Sequence, residues 1–376
     1  MNDITAGANL VRRVLAGASL KGRDLSNVDA SGADLTDAEL LDVILQGARF
    51  VGATLTNTNL KGAQGENVCF TAATMSRCIA AQVVLLKANL DRVVGHRSVF
   101  KGAVLREASA RIADLAGADF SESDLRGVDF QGSNLTSVSF SVSDMSGSKL
   151  SLCKLERAYL QNANLRGANL SRAKLKDANL TRANLSEANL TDAEFTDANL
   201  SNLDLHKVSS CGASFNGAVL EGINGRMADF SDCDFADAKA SGAIFERATL
   251  MRATMDKFLA DGAIFEFADL RGVAMRSANF AKANFVGACL IGAEAVDCNF
   301  DEADFYWADM DNFVMKNCTT RGACFPERLV VAYGPRDVKP PEVKPVPLYR
   351  KAATPEERRK LLEAALEIEN MLRDKS

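Results

Sequence analysis

The strictest constraint in this sequence is a repeat of five residues that keeps its register from Leu10 to Phe325. Large apolar residues stand at every fifth position throughout this stretch. Of these 64 positions, 53 are Leu, Phe or Met, and 38 of the positions two residues earlier are Ala. A strand alternates every two residues and a helix repeats every 3.6, so neither fits a period of five. A chain that turns a corner every five residues does fit.

The residues between the apolar positions support such corners. We call the large apolar position the centre of each repeat and the position two residues before it the inner slot. Of 26 glycines, 22 stand two residues after a centre, and Asn or Asp often takes that place, as at Asp177. These residues tolerate a positive φ, which tight turns require. All seven prolines lie after residue 325, so no repeat gives up a backbone N–H.

The clearest stretch, residues 163–200, reads ANLRGANLSRAKLKDANLTRANLSEANLTDAEFTDANL. It resembles the pentapeptide-repeat family, whose members form a right-handed quadrilateral β-helix with four repeats in each square coil. The resemblance covers residues 6–325 and implies an all-β solenoid of about 16 coils. At a strand spacing of ~4.8 Å, that solenoid is roughly 75 Å long.

The composition changes abruptly after the repeats. Residues 326–353 hold six prolines, which predicts an extended, polyproline-like linker. Thr354, followed by proline and glutamates, then gives the capping pattern of a helix start. The expected organisation is a solenoid over 1–325, the linker, and one amphipathic α-helix over 354–376. The apolar stripe of that helix includes Leu361, Leu366 and Leu372.

Large apolar residues rarely line up on the outside of a solenoid, so one such cluster is a candidate interaction surface. Ile244 and Ile264 are four repeats apart and should stack in successive coils. Phe267, Tyr306 and Trp307 fall beside them on the same face. Two interpretations stay open: the C-terminal helix covers the cluster, or a protein partner binds it. The three leucines of the predicted helix complete the candidate surface.

The sequence offers little for catalysis. It has only two histidines, and it lacks the phosphate-binding, metalloprotease and nucleophile-elbow motifs. We therefore expect a non-enzymatic protein with no catalytic site, no cofactor and no metal. Five of the nine cysteines occupy the inner slot, where Cys serves as a small apolar residue: Cys78, Cys153, Cys233, Cys298 and Cys318. With no secretory signal and no long apolar stretch, we expect a cytoplasmic protein without a membrane segment.

A rigid repeat protein offers extended flat faces, so the main hypothesis is a bacterial protein-interaction scaffold with a protein partner of unknown identity. A homodimer through the C-terminal helix or a solenoid end stays open. The family resemblance implies two alternatives. One is a DNA mimic that inhibits or protects a type II topoisomerase (gyrase). The other is an accessory or adaptor protein associated with a secretion-system effector.

The DNA-mimic alternative needs a dense acidic surface, and the charges can be counted. Residues 1–325 hold 33 basic and 40 acidic residues, and each predicted face mixes both signs. A DNA duplex of about 75 Å carries about 45 charges at one per ~1.7 Å. The low charge density therefore counts against mimicry. We also expect no direct binding of nucleic acid.

Overall fold

The backbone returns to the same orientation after every four repeats, because four corners close one coil. In the computed structural model, which describes residues 4–326, the outward residue before each centre forms a parallel bridge with the matching residue of the next coil. The series begins with Asn9 and Asp29 and continues to Asp304 and Cys324. Equivalent positions of successive coils therefore form a column along the axis. The result is the expected four-sided β-solenoid of about 16 coils.

Backbone hydrogen bonds join each coil to the next along the solenoid axis. The N–H of Leu165 donates to the carbonyl of Asn184 at 2.7 Å, and the N–H of Asn184 donates to the carbonyl of Ala163 at 3.0 Å. The same pattern recurs from Leu10 to Phe305. This parallel ladder satisfies the backbone polar groups that a narrow apolar core could not.

Only five segments of the described chain form strands, each of three residues. They are β1 (Gln64–Glu66), β2 (Val84–Leu86), β3 (Ala274–Arg276), β4 (Glu294–Val296) and β5 (Val314–Lys316). Strand β1 pairs with β2, and β3, β4 and β5 form a parallel sheet in that order. Elsewhere the pairing is a single bridge on each side of a coil, since a corner follows every five residues.

The expected fold class, an all-β solenoid that ends in one α-helix, is therefore corrected for the described chain to an all-β solenoid without a helix. Residues 4–326 contain five short strands and no helix. The strands are short because each side of a coil is extended for only one to three residues between corners. The helix expected over 354–376, and the linker beyond Pro326, lie outside the described residues. No helix in the described part has the length and apolarity that spanning a bilayer requires.

Each residue two positions after a centre turns the corner with a positive φ. From Gly7 to Gly322, 22 glycines and 42 other residues have φ between 52° and 72° in these places. The sequence predicted this conformation for Gly, Asn and Asp. The structure extends it to bulky residues such as Ile112, Phe267 and Trp307. A side chain in this conformation costs about 1 kcal/mol, so the ladders on both sides must hold each corner in place.

The interior is filled by the centres and the inner slots. Leu165, Leu185 and Phe245 are three of the centres, and all three are fully buried. Small centres are compensated by neighbouring side chains. A Cβ on Gly225 would lie 3.1 Å from the ring of Phe230, on the next side of the coil. The core volume is therefore shared between adjacent sides, and each coil stays closely packed.

A continuous stack of phenylalanine rings fills one column near the end of the described chain. Successive ring centroids are 4.8–5.1 Å apart, and neighbouring rings are within 8° of parallel. This spacing matches the distance between adjacent strands of a sheet, ~4.8 Å, so every coil adds one ring. We call this stack the phenylalanine ladder: Phe245, Phe265, Phe285, Phe305 and Phe325.

Candidate interaction surface

The structure brings the candidate residues of the solenoid together along one edge, beside the phenylalanine ladder. Ile244 and Ile264 pair in successive coils, and both side chains are half-buried. Phe267 follows on the next corner and is 36% exposed. Tyr306 and Trp307 lie on the same corner two coils later, with ring centroids 5.0 Å apart and 25° between the ring planes. We call Phe267, Gly287, Tyr306 and Trp307 the aromatic corner.

A glycine lets the aromatic corner extend over three successive coils. The N–H of Phe267 donates to the carbonyl of Val286, and the N–H of Gly287 donates to the carbonyl of Tyr306, both at 2.9 Å. A Cβ on Gly287 would lie 2.5 Å from the ring of Phe267, so the ring covers the glycine. Sequence reasoning missed this contact. The signal was present, because Gly287 stands midway between the corner residues Phe267 and Trp307.

Carboxylates border the aromatic corner. Glu266 directly precedes Phe267, while Asp304 and Asp309 lie on the two sides that meet at Tyr306 and Trp307. Within residues 4–326 none of these three carboxylates forms an ion pair. Asp304 instead accepts the backbone N–H of Tyr306 at 2.9 Å, a turn contact that leaves its charge in place. The aromatic corner is therefore bordered by three carboxylates, and one arginine, Arg247, stands one coil before Phe267 in the same column.

Other acidic groups of the solenoid are neutralised along the columns. Asp124 is held by Arg106 at 2.6 Å and Arg126 at 2.8 Å, and the hydrogen bond from Arg126 is the main cause that lowers the pKa of Asp124 to about 2. Asp232 pairs with Arg252 one coil later at 2.6 Å. Ion pairs of this kind disperse the negative charge that a DNA-like surface would need.

Three inner-slot cysteines are inert, and the described chain holds no cluster that could bind a metal ion. All nine cysteines are free, and burial raises the pKa of the Cys78, Cys153 and Cys233 thiols to about 12. Such thiols stay protonated and unreactive at neutral pH. Cys298 is also buried in its inner slot, whereas Cys318 is half-buried. Within residues 4–326 no group of His, Cys, Asp and Glu is placed to hold a metal ion.

The helical part of the candidate surface has no structural counterpart here. Leu361, Leu366 and Leu372 lie outside the described residues, so the candidate surface in the structure consists of the solenoid residues alone.

The geometry defines the class: a β-solenoid built from five-residue repeats, with specialised outward corners. The family model described as pentapeptide repeats matches well over half of the chain. The protein therefore belongs to the pentapeptide-repeat family. The matched segments are 6–40, 14–50, 44–79, 113–151, 153–192, 193–224, 228–257, 261–294 and 278–317.

Solved pentapeptide-repeat structures align with parts of the chain. HetL, involved in heterocyst differentiation regulation in the cyanobacterium Nostoc sp. strain PCC 7120, is 27% identical over 54% of this chain and 90% of its own (TM-score 0.41). A thylakoid-lumen protein of Arabidopsis thaliana is 37% identical over 25% and 65% (TM-score 0.24). QnrB1, a plasmid-mediated fluoroquinolone resistance protein, is 17% identical over 58% and 90% (TM-score 0.28). These TM-scores are too low to support an argument about function. No curated protein matches the sequence.

Proposed function

We propose that this protein is a non-enzymatic scaffold that binds a protein partner at the aromatic corner. The observation that carries the proposal is the grouping of Phe267, Tyr306 and Trp307 on the outside of a solenoid, beside the stacked Ile244 and Ile264. Aromatic side chains dominate the energetics of protein interfaces, and apolar clusters on a surface are typical of such sites. The described interior is filled by side chains, so function is expected on the surface.

The charge around the aromatic corner indicates the chemistry of the partner. Glu266, Asp304 and Asp309 favour a partner that presents a basic residue next to an apolar one. The basic group can also lie over an aromatic face, which contributes about 0.5–2 kcal/mol. The corner stands on the phenylalanine ladder, so its shape is set before binding and little ordering entropy is lost.

The test compares two double variants in capture from a lysate of the native host, followed by mass spectrometry. Phe267→Asp with Trp307→Asp should remove partner retention without unfolding the protein, because outward side chains contribute little to the core. Ile44→Asp with Val142→Asp is the control, since both side chains are exposed apolar residues far from the aromatic corner. Equal retention by both variants, with unchanged circular dichroism, would refute the site.

The two alternatives from the family resemblance receive less support. The column ion pairs of Asp124 and Asp232 count against a DNA mimic, although recovery of gyrase subunits in the capture experiment would restore that hypothesis. No contact among residues 4–326 favours the secretion-adaptor role. The bacterial origin and the cytoplasmic location stay predictions from the sequence.

A further inference from the structure

A second surface feature lies on a different corner of the solenoid, several coils before the aromatic corner. It is a depression of about 420 Å³, and its lining includes Gln131, Leu152, Asn169, Arg172, Asn189 and Asp192. We call it the amide depression. Neither the repeat pattern nor the proposed function accounts for it.

The amide side chains of the depression expose donors, because their oxygens are already used. The Oδ1 of Asn169 accepts the N–H of Ser171 at 3.0 Å. The Oδ1 of Asn189 accepts the N–H and the hydroxyl of Thr191 at 3.0 and 2.7 Å. Each amide oxygen is therefore turned toward the solenoid backbone. Neither Nδ2 has a hydrogen-bond partner within residues 4–326. The Oε1 of Gln131 likewise accepts from Arg111 at 3.3 Å, which leaves its amide nitrogen as a donor.

The sequence of the column explains why the donor of Asn169 stays open. In a neighbouring column, Asn164 donates through Nδ2 to Asp144 one coil earlier at 3.0 Å, and Asn224 donates in the same way to Asp204. The residue one coil before Asn169 is instead a lysine, Lys149, which has no acceptor. The Asn169 amide is therefore available to a ligand, and so is that of Asn189, which does not donate to Asn169.

Arg172 and Leu152 add a positive charge and an apolar group to the lining, and Lys149 lies one coil before Asn169, outside the lining. Lys149 lies 3.6 Å from Asp129, and Arg172 lies 3.4 Å from Asp192, with 63% and 70% of the two basic side chains exposed. Exposed ion pairs of this length contribute about 0–1 kcal/mol, so either cation can turn to a ligand carboxylate at little cost. Leu152 lines the depression with 54% of its surface exposed.

We propose that the amide depression binds an extended acidic peptide segment of a partner protein. Carboxylates of the segment pair with Arg172 and Lys149, and its carbonyl oxygens accept from the amide nitrogens of Asn169, Asn189 and Gln131. An aliphatic side chain of the segment covers Leu152. Asp192 is the one carboxylate of the lining and is paired with Arg172, and the free amide donors around that pair favour a ligand rich in acceptors. This site is distinct from the aromatic corner and prefers the opposite charge.

The experiment measures fluorescence anisotropy with a labelled nine-residue peptide on the full chain. The peptide has a central leucine, one aspartate two residues to each side of it, and glycine elsewhere. Asn169→Asp with Asn189→Asp reverses the donors without changing shape, and Asp already occupies equivalent outward positions such as Asp129. Asn179→Asp with Asn199→Asp is the matched control, because these residues stack in the same way in another column.

We expect the depression variant to weaken binding at least about tenfold and the control variant less than about twofold. Replacing the two peptide aspartates by lysine should abolish binding, and replacing the leucine by glycine should weaken it. Equal losses in both variants, or equal binding of the lysine peptide, would overturn the proposal. No saturable binding of the aspartate peptide up to about 1 mM would also overturn it. Self-association that depends on Asn169 would identify a second copy of the chain as the occupant instead.

Discussion

The coils at 153–192 and the coils at 261–307 share one backbone frame, yet they differ both inside and outside. In the first region every centre is Leu, and the outer surface carries Asn169, Asn189 and Arg172 of the amide depression. In the second region the phenylalanine ladder fills one column, and the aromatic corner lies directly outside it. The inter-coil bonds are nevertheless equal, at 2.7 Å from Leu165 to Asn184 and from Phe285 to Asp304. The inter-coil hydrogen bonds are therefore independent of which side chains fill the core. Each region of the solenoid can in consequence carry its own surface chemistry.

The largest expected effect is the loss of unfolding free energy when one core side chain is truncated in each of the two regions. Phe285→Ala removes the middle ring of the phenylalanine ladder and should cost about 3–5 kcal/mol of unfolding free energy. Leu185→Ala, in the same column, should cost about 2–5 kcal/mol. In a solenoid such losses are partly local, so urea unfolding monitored by Trp307 fluorescence should respond mainly to Phe285→Ala. Equal shifts of the Trp307 transition would show that the two regions unfold as one unit.

A smaller effect tests the glycine beneath the aromatic corner. Gly167 and Gly287 share one column and have φ of +65° and +66°, but only the Cβ added at Gly287 would meet a neighbouring group. Gly167→Ala should cost about 1 kcal/mol from its backbone conformation. Gly287→Ala must also displace the ring of Phe267, which should add about 1 kcal/mol and change the near-ultraviolet circular dichroism. Identical losses and spectra would contradict the ring contact.

The smallest effect is a pH dependence of stability that arises from Asp124. Asp124 stands in the same column as Ile244, so this column is charged in one part of the solenoid and apolar in another. The pKa of Asp124 is lowered to about 2, chiefly by Arg126, against about 3.9 in an unfolded chain. A lowered pKa stabilises the folded state above the unfolded value, and this stabilisation is lost as the pH falls toward 2. When the pH falls from 5 to 2, the free energy of unfolding measured with urea should therefore decrease by about 1 kcal/mol more in the native protein than in the Asp124→Asn variant.

Asp119→Asn serves as the control for this pH dependence, because the Asp119 carboxylate has no ion pair within residues 4–326 and accepts one hydrogen bond, from the N–H of Ser121 at 2.9 Å. The unfolding free energies of the two variants should differ at low pH, and the pH dependence of Asp119→Asn should follow that of the native protein. Parallel curves for all three proteins would mean that the arginine contacts of Asp124 do not stabilise the fold.

Most of the fold could be predicted from the sequence, because an unbroken period of five assigns each residue to the inside, the outside or a corner. The burial of Leu185 and the pairing of Ile244 with Ile264 both follow from that register. The positive φ of bulky corner residues such as Trp307 did not follow, since intrinsic preference disfavours it and only the neighbouring ladders impose it.

The two surfaces differ in how far the sequence revealed them. The aromatic corner was found because aromatic residues are rare outside a solenoid. The amide depression was missed because its chemistry depends on which amide oxygens the backbone N–H groups occupy. A comparison of equivalent positions in successive coils, with Lys149 before Asn169, would have indicated it. The predicted terminal helix has no counterpart in the described residues.

The inter-coil hydrogen bonds also determine how the molecule responds to mechanical force. They run along the solenoid axis and join each coil only to its two neighbours. Tension between the two ends of the solenoid passes through every interface between coils, and a terminal coil detaches first because it has only one neighbour. The coils then detach one after another, and each releases four repeats of extended chain. Tethered at both ends, the solenoid would lengthen in steps under load, and each step would dissipate mechanical work.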